Sequence, residues 1–171
     1  LFHRAPESEE PGITRMTHLP VAQFLRDMAT ARAHLGSKAR AHGRGIGVTG
    51  IGIGGPVASL TAAGDPAFQA AVVFYPGHMA VSWGEGPAPI SGTPSLNSPL
   101  LGRCGDEDDD PTPEEVRERD GELTRHGVPH EFVSYPGAGH GFMSEGRPIY
   151  RPQAAEDAWE RAVAWFTRHL A

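Results

Sequence analysis

The sequence predicts an α/β fold, a parallel sheet with helices on both faces, and three observations carry that expectation. Short apolar runs of strand length alternate with stretches at helical spacing along the chain. The run "FQAAVVFYP" is apolar without alternation, as in a strand buried on both faces. Each run ends in a glycine- or proline-marked turn, so successive strands need crossovers, and right-handed crossovers lay helices against a parallel sheet.

Taken in order, residues 3–18 are polar and proline-punctuated and predict a loop. From Pro20 to Leu35 the residues Val21, Phe24, Leu25, Met28 and Leu35 recur at helical spacing, with Pro20 suited to a first turn. "GIGVTGI" (45–51) is a buried strand, and "GPVASLTAAG" (55–64) a helix of small residues that Gly64 ends. "FQAAVVFYP" (68–76) is the second strand, and the Gly-, Pro- and Ser-rich stretch after it is the longest loop. "PLLGRCG" (99–105) is the third strand. After the acidic run "DEDDD", "TPEE" starts a helix with a capping box at Thr112 and Glu115, closed near Gly127. "HEFVSYPG" (130–137) is the fourth strand. In the closing helix Ala155, Trp159, Ala162, Val163, Phe166 and Leu170 are expected to form one apolar face.

One domain, 1–171, suffices for 171 residues. The net charge is −6 and the 15 basic residues are scattered, which argues against nucleic acid and anionic membranes as partners and for a small molecule. No run approaches the roughly 20 apolar residues of a membrane span, and no signal segment opens the chain, so a cytoplasmic protein is expected. The single Cys104 leaves no intrachain disulfide and no multi-cysteine zinc site, and in a strand it is a small buried hydrophobe. No metal is expected, the acidic run lacking the Gly and Glu positions of a calcium loop. A homodimer is the assembly kept in view.

The informative stretch is "VTGIGIGGPVASL". Gly50, Gly52 and Gly55 satisfy G-x-G-x-x-G between a strand and a helix, where bare glycines let a pyrophosphate approach the helix N-terminus. That site also requires an acidic residue about 20 positions on to hold a ribose. "FYPGH" stands there instead, and no cofactor is expected. The other reading is a nucleophile elbow, G-x-S-x-G, whose outer glycines would be Gly50 and Gly54. Gly52 then occupies the place of the attacking side chain, and the Ile53 backbone N–H would serve as an oxyanion donor. Downstream, an acidic loop and His140 follow the third and fourth strands in the order this elbow requires, and loops at the carboxyl ends of parallel strands converge.

These motifs resemble those of the dienelactone hydrolase family, a branch of the α/β-hydrolases acting on small lactones and esters. "VTGIGIGGPVASLTAA" is similar to its elbow, "LLGRCGDEDDDPTPEEV" to its acid loop and "YPGAGHGFMSEGRPIYRPQAAEDAWERAVAWFTRHL" to its histidine loop and closing helix. The resemblance implies Asp108 and His140 as the catalytic acid and base, Asp108 fixing the imidazole. It implies Arg4 as a carboxylate-binding residue, a role suited to a guanidinium. It also implies N-terminal strands before "LFHR" that are missing from this chain, on the order of 60–90 residues at the length of a strand-crossover-strand unit. Trp83 and His78 in the long loop are expected to line a pocket, whereas Asp106, Asp109 and Asp110 are expected to be solvated. With Gly52 in place of the nucleophile three functions stay open: a dienelactone hydrolase-like protein without its nucleophile, an acid/base enzyme using no covalent step, and a non-catalytic pocket for a small carboxylate or lactone.

Overall fold

The computed structural model describes residues 14, 18, 20–38, 45–84 and 86–171. Arg4 and nearly all of the predicted loop over 3–18 lie outside the described residues. Four strands, β1 (Ile46–Ile51), β2 (Phe68–Phe74), β3 (Leu100–Gly105) and β4 (His130–Tyr135), form one sheet in the order β1-β2-β3-β4. All three pairings are parallel. The helices are α1 (Val21–Gly36), α2 (Gly54–Gly64), α3 (Pro113–Arg125) and α4 (Pro152–His169).

The helix that follows the last strand, α4, is left to cover the second face, because crossovers of one hand that step steadily along a sheet all fall on the same side, here with α2 and α3. On that side Ala58 and Ala62 of α2, Leu123 of α3 and Met28 of α1 pack with Val48, Ala71, Val73 and Leu100 of the strands. On the other, Ala155, Ala158 and Ala162 of α4 pack with Val72, Phe74 and Leu101. β2 and β3, central in the described sheet, are almost wholly buried, which accounts for their uninterrupted apolar runs.

The structure departs from expectation in three places. β2 ends at Phe74 rather than Pro76, because Tyr75 turns to a positive φ of 36°. The long loop contains a 3₁₀ segment, Pro89–Ser95, in which Ser91 and Thr93 hydroxyls donate to the carbonyls of Ala88 and Ile90. Turn residues that bond their own backbone give little periodic signal. On α4 the buried stripe is Ala155, Ala158 and Ala162, whereas Trp159 and Val163 are 56% and 48% exposed. The expected apolar face is therefore corrected: the alanines let the helix lie close to the sheet, where β1 presents Gly47 against Phe166.

The capping box forms as expected, Thr112 Oγ1 accepting from the Glu115 N–H at 3.2 Å and Glu115 accepting from the Thr112 N–H at 2.7 Å. At the turn into α2, positions 50 and 55 have no room for a side chain. A Cβ on Gly50 would fall on the Gly54 carbonyl, and one on Gly55 would lie 2.8 Å from the Pro76 Cα, whereas one on Gly54 meets nothing within 4 Å. Gly50→Ala and Gly55→Ala are accordingly predicted to destabilise the protein by about 1–3 kcal/mol each, the usual cost of overpacking. Gly54→Ala should be neutral or stabilising, and chemical denaturation of the three variants checks the pattern.

Candidate functional site

The site is built at the carboxyl ends of the four parallel strands. β1 delivers Gly52, whose N–H donates to the Phe74 carbonyl at 3.0 Å and whose carbonyl accepts from Gly55 at 2.8 Å. These two bonds pin the sharp turn, and Gly52 holds a φ of 54°. β3 delivers the acid loop and β4 the histidine loop, and the two are stitched together. Glu107 N–H donates to the Ala138 carbonyl at 3.0 Å, and Gly137 N–H donates to the Asp106 carboxylate at 2.8 Å.

The result brings together three of the residues singled out in the sequence. Asp108 is 3% exposed, and its Oδ2 lies 3.3 Å from His140 Nδ1, within ion-pair range but not aligned as a hydrogen bond in this conformation. Its Oδ1 accepts from the Asp110 N–H at 2.9 Å, which fixes the carboxylate. The far nitrogen, His140 Nε2, faces the elbow: it stands 3.6 Å from where a Cβ at Gly52 would sit. The Asp108 carboxylate at its side raises the His140 pKa above the ordinary imidazole value, more strongly than partial burial lowers it.

Tyr75 completes this corner. It holds a positive φ, and its ring meets His140 edge-on at 5.0 Å and Phe142 at 5.2 Å. A non-glycine residue in that backbone region is uncommon and strained, and such residues concentrate at functional sites. Sequence reasoning passed over it, the only signal being its position at a strand end before "PGH".

The remaining expectations fare unevenly. Ile53 is the N-cap of α2, and among the described residues no protein acceptor takes its backbone N–H. Trp83 does not line an open pocket. It is fully buried against Phe24, Val57 and Leu60, and its Nε1 donates to the His78 carbonyl at 3.3 Å, so it packs beneath α2. His78 pairs with Asp110 through Nδ1, and its N–H donates to Asp110 Oδ1 at 2.8 Å. Asp106 and Asp109 are exposed, as expected, though Asp106 also accepts the Gly137 N–H, whereas Asp110 is half-buried and latches His78. Cys104 is buried and its thiol pKa is pushed up to about 12 by burial, which removes it as a substitute nucleophile.

Comparison with known proteins agrees with this fold. Residues 3–170 match the model of the dienelactone hydrolase family. The chain is 33% identical over 156 residues to a Methylorubrum extorquens protein assigned as a carboxymethylenebutenolidase, covering 90% of this chain and 53% of that one. It is 27% identical over 175 residues to a Bradyrhizobium protein assigned as a 2-oxo-3-(5-oxofuran-2-ylidene)propanoate lactonase, covering 97% of this chain and 70% of the relative. Among solved structures, a dienelactone hydrolase-type protein of Klebsiella pneumoniae superposes with a TM-score of 0.79 at 30% identity, over 95% of this chain and 68% of its own. The chain spans little more than half the length of the Methylorubrum extorquens protein and of a similarly assigned Escherichia coli one.

Asp108 sets the acidity of His140, and that is measurable without a substrate. In the native protein the imidazole should titrate above the ordinary value, and in Asp108→Asn its midpoint should fall. Proton NMR titration of His140 reads both, and an unchanged midpoint would show that the pairing does not act.

Proposed function

The chain belongs to the dienelactone hydrolase family, and from that premise we propose that its site opens a small lactone or ester by general-base attack of water over Gly52. The supporting observation is the placement of His140: Nδ1 against the buried Asp108, and Nε2 facing the elbow 3.6 Å from the Cβ position of residue 52. A covalent acyl-enzyme cannot form on glycine. Water takes the place of the attacking side chain in this reading, activated by an imidazole whose other nitrogen lies 3.3 Å from the Asp108 carboxylate.

In this reading Nε2 accepts a proton as the water oxygen bonds to the carbonyl carbon. Charge developing on the carbonyl oxygen is met by the Ile53 N–H at the positive end of α2. The ester C–O bond then breaks, and the imidazolium returns its proton to the leaving oxygen, giving a hydroxy acid from a lactone. Asp108 stabilises imidazolium during the cycle without taking the proton. Because the base is neutral imidazole, turnover should rise with pH through the His140 pKa, which stands above the ordinary value.

A second reading has support in Gly52 itself. Isomerisation or elimination of an unsaturated carboxylate needs an acid/base imidazole and no nucleophile, so the same pair would serve. Reaction in ¹⁸O-labelled water separates the two, since only hydrolysis incorporates the label into product.

A panel of small lactones and activated esters is the test. The native protein is expected to turn over slowly, His140→Gln to lose roughly 10²–10⁴-fold, the usual range for a general base, and Gly52→Cys to gain rate and carry an acyl group on the new thiol. No turnover of the panel by the native protein, or turnover that His140→Gln leaves unchanged, would overturn the hydrolytic reading.

A further inference from the structure

Among the described residues only Tyr75 and His78 hold a positive φ without being glycine, at 36° and 56°, and both lie in the turn that leaves β2. Such a backbone persists only where its surroundings impose it. At His78 those surroundings can be named. Its carbonyl accepts from the Trp83 indole at 3.3 Å, its N–H donates to Asp110 Oδ1 at 2.8 Å, and its Nδ1 pairs with Asp110 Oδ2. Gly77 makes the approach possible, since a Cβ there would lie 2.7 Å from Asp110 Oδ2 and 2.8 Å from the Asp110 carbonyl oxygen. The Gly77 N–H closes the turn, donating to the Tyr75 carbonyl at 3.0 Å.

Asp110 in turn is joined to Asp108 and His140. Its N–H donates to Asp108 Oδ1 at 2.9 Å, while Asp108 Oδ2 stands 3.3 Å from His140 Nδ1. The Asp108 carboxylate first, and the Asp110 carbonyl and charge after it, raise the His140 pKa. Asp110 therefore has its backbone against Asp108 and His140, and its carboxylate against both donors of His78. The His78 and Asp110 side chains are partly exposed, where an ion pair alone is worth little. Such a pair needs neither a bare glycine nor a left-handed histidine, so the turn is shaped for this contact.

Resting on the reading of Asp108 and His140 as the acid and base pair, we propose that His78 is a positioning residue for that pair. By clamping Asp110 it holds the Asp110 N–H on Asp108 Oδ1, and so keeps Oδ2 turned to His140. The line of contacts starts at Trp83, buried against Phe24, Val57 and Leu60, and passes through His78, Asp110 and Asp108 to His140. The imidazole is thereby tied to the core beneath α2 by a path separate from the elbow. His78 acts through Asp108 and exchanges no proton itself. Charge alone predicts an effect of the opposite sign. Removing His78 frees the Asp110 carboxylate, and unpaired negative charge near His140 would raise its pKa, whereas an Asp108 free to swing away lowers it.

Proton NMR titration of His140 decides the matter, and it needs no substrate, so its outcome is separate from that of the lactone panel. His78→Gly keeps the left-handed backbone and loses the clamp, and His78→Asp tolerates that backbone but repels Asp110. In each the His140 midpoint is expected to fall by about half a pH unit or more, toward that of Asp108→Asn. His78→Asn, whose amide donates from the position of Nδ1, should keep the native midpoint. Adding His78→Gly to Asp108→Asn should lower the midpoint no further, because both changes act at one contact. An unchanged or raised midpoint in either folded clamp variant would overturn the proposal and reduce the contact to a charge pair. A further fall in the double variant, or loss of the native value in His78→Asn, would overturn it as well.

Discussion

The close approach of α2 to the end of β1 is the constraint on which the rest of the site depends. The strand must turn into the helix within two residues, and the Gly54 carbonyl then occupies the space a side chain on Gly50 would need. Gly55 lets the first turn of the helix lie on Pro76, two residues beyond β2, and the Gly52 N–H reaches across to Phe74 at the end of that strand. The turn is therefore held by two strands at once. It fixes the direction of α2, and with it the position of the Ile53 N–H and of Ser59.

The acid loop does a comparable job from the other side. Asp106, Asp108 and Asp110 stand at alternate positions, and each reaches a different neighbour: the Gly137 N–H, the His140 imidazole and His78. Glycine at 105 is what lets this loop close on the next, since a Cβ there would strike the Ala138 carbonyl. The sequence concentrates negative charge in one short run, and the fold disperses it into three separate contacts. Repulsion within the run is offset because two of the three carboxylates meet an imidazole and the other a backbone donor.

Much of this was legible in the sequence, for reasons that can be named. Strands and helices are short and punctuated by glycine and proline, and a helix separates successive strands everywhere except between β2 and β3, so the succession of elements and the parallel sheet could be read directly. Gly52, Asp108 and His140 could be placed together because each follows a strand whose carboxyl end lies on one edge of the sheet. What escaped were choices made by partners distant in the chain. Trp83 sits in a loop with no periodicity, and only the arrival of Phe24 and Val57 buries it. Arg119 belongs to a helix of mostly charged residues and resembles any solvated arginine there, yet it is buried and donates to Ser59 of α2. On α4 two apolar stripes compete, and the smaller side chains win because the sheet demands close contact rather than bulk.

Gly52 gives the elbow a particular balance between strain and chemistry. A side-chain-bearing residue at a φ of 54° would be held in a region that only glycine visits freely, at a cost of order 1–3 kcal/mol. Glycine relieves that strain and gives up the attacking atom. The relief leaves the neighbouring parts in place, because the turn is fixed by backbone hydrogen bonds and by contacts at Gly50 and Gly55 rather than by anything a side chain at 52 would do. His140 is likewise held from behind, by Asp108 and by the Tyr75 ring, so its outward nitrogen keeps its direction toward Gly52. On the hydrolytic reading proposed above, an imidazole so fixed, facing Gly52 beside a helix N-terminus, acts on whatever polar molecule occupies that position. That places the chemical decision in the occupant, water or substrate, and no longer in residue 52.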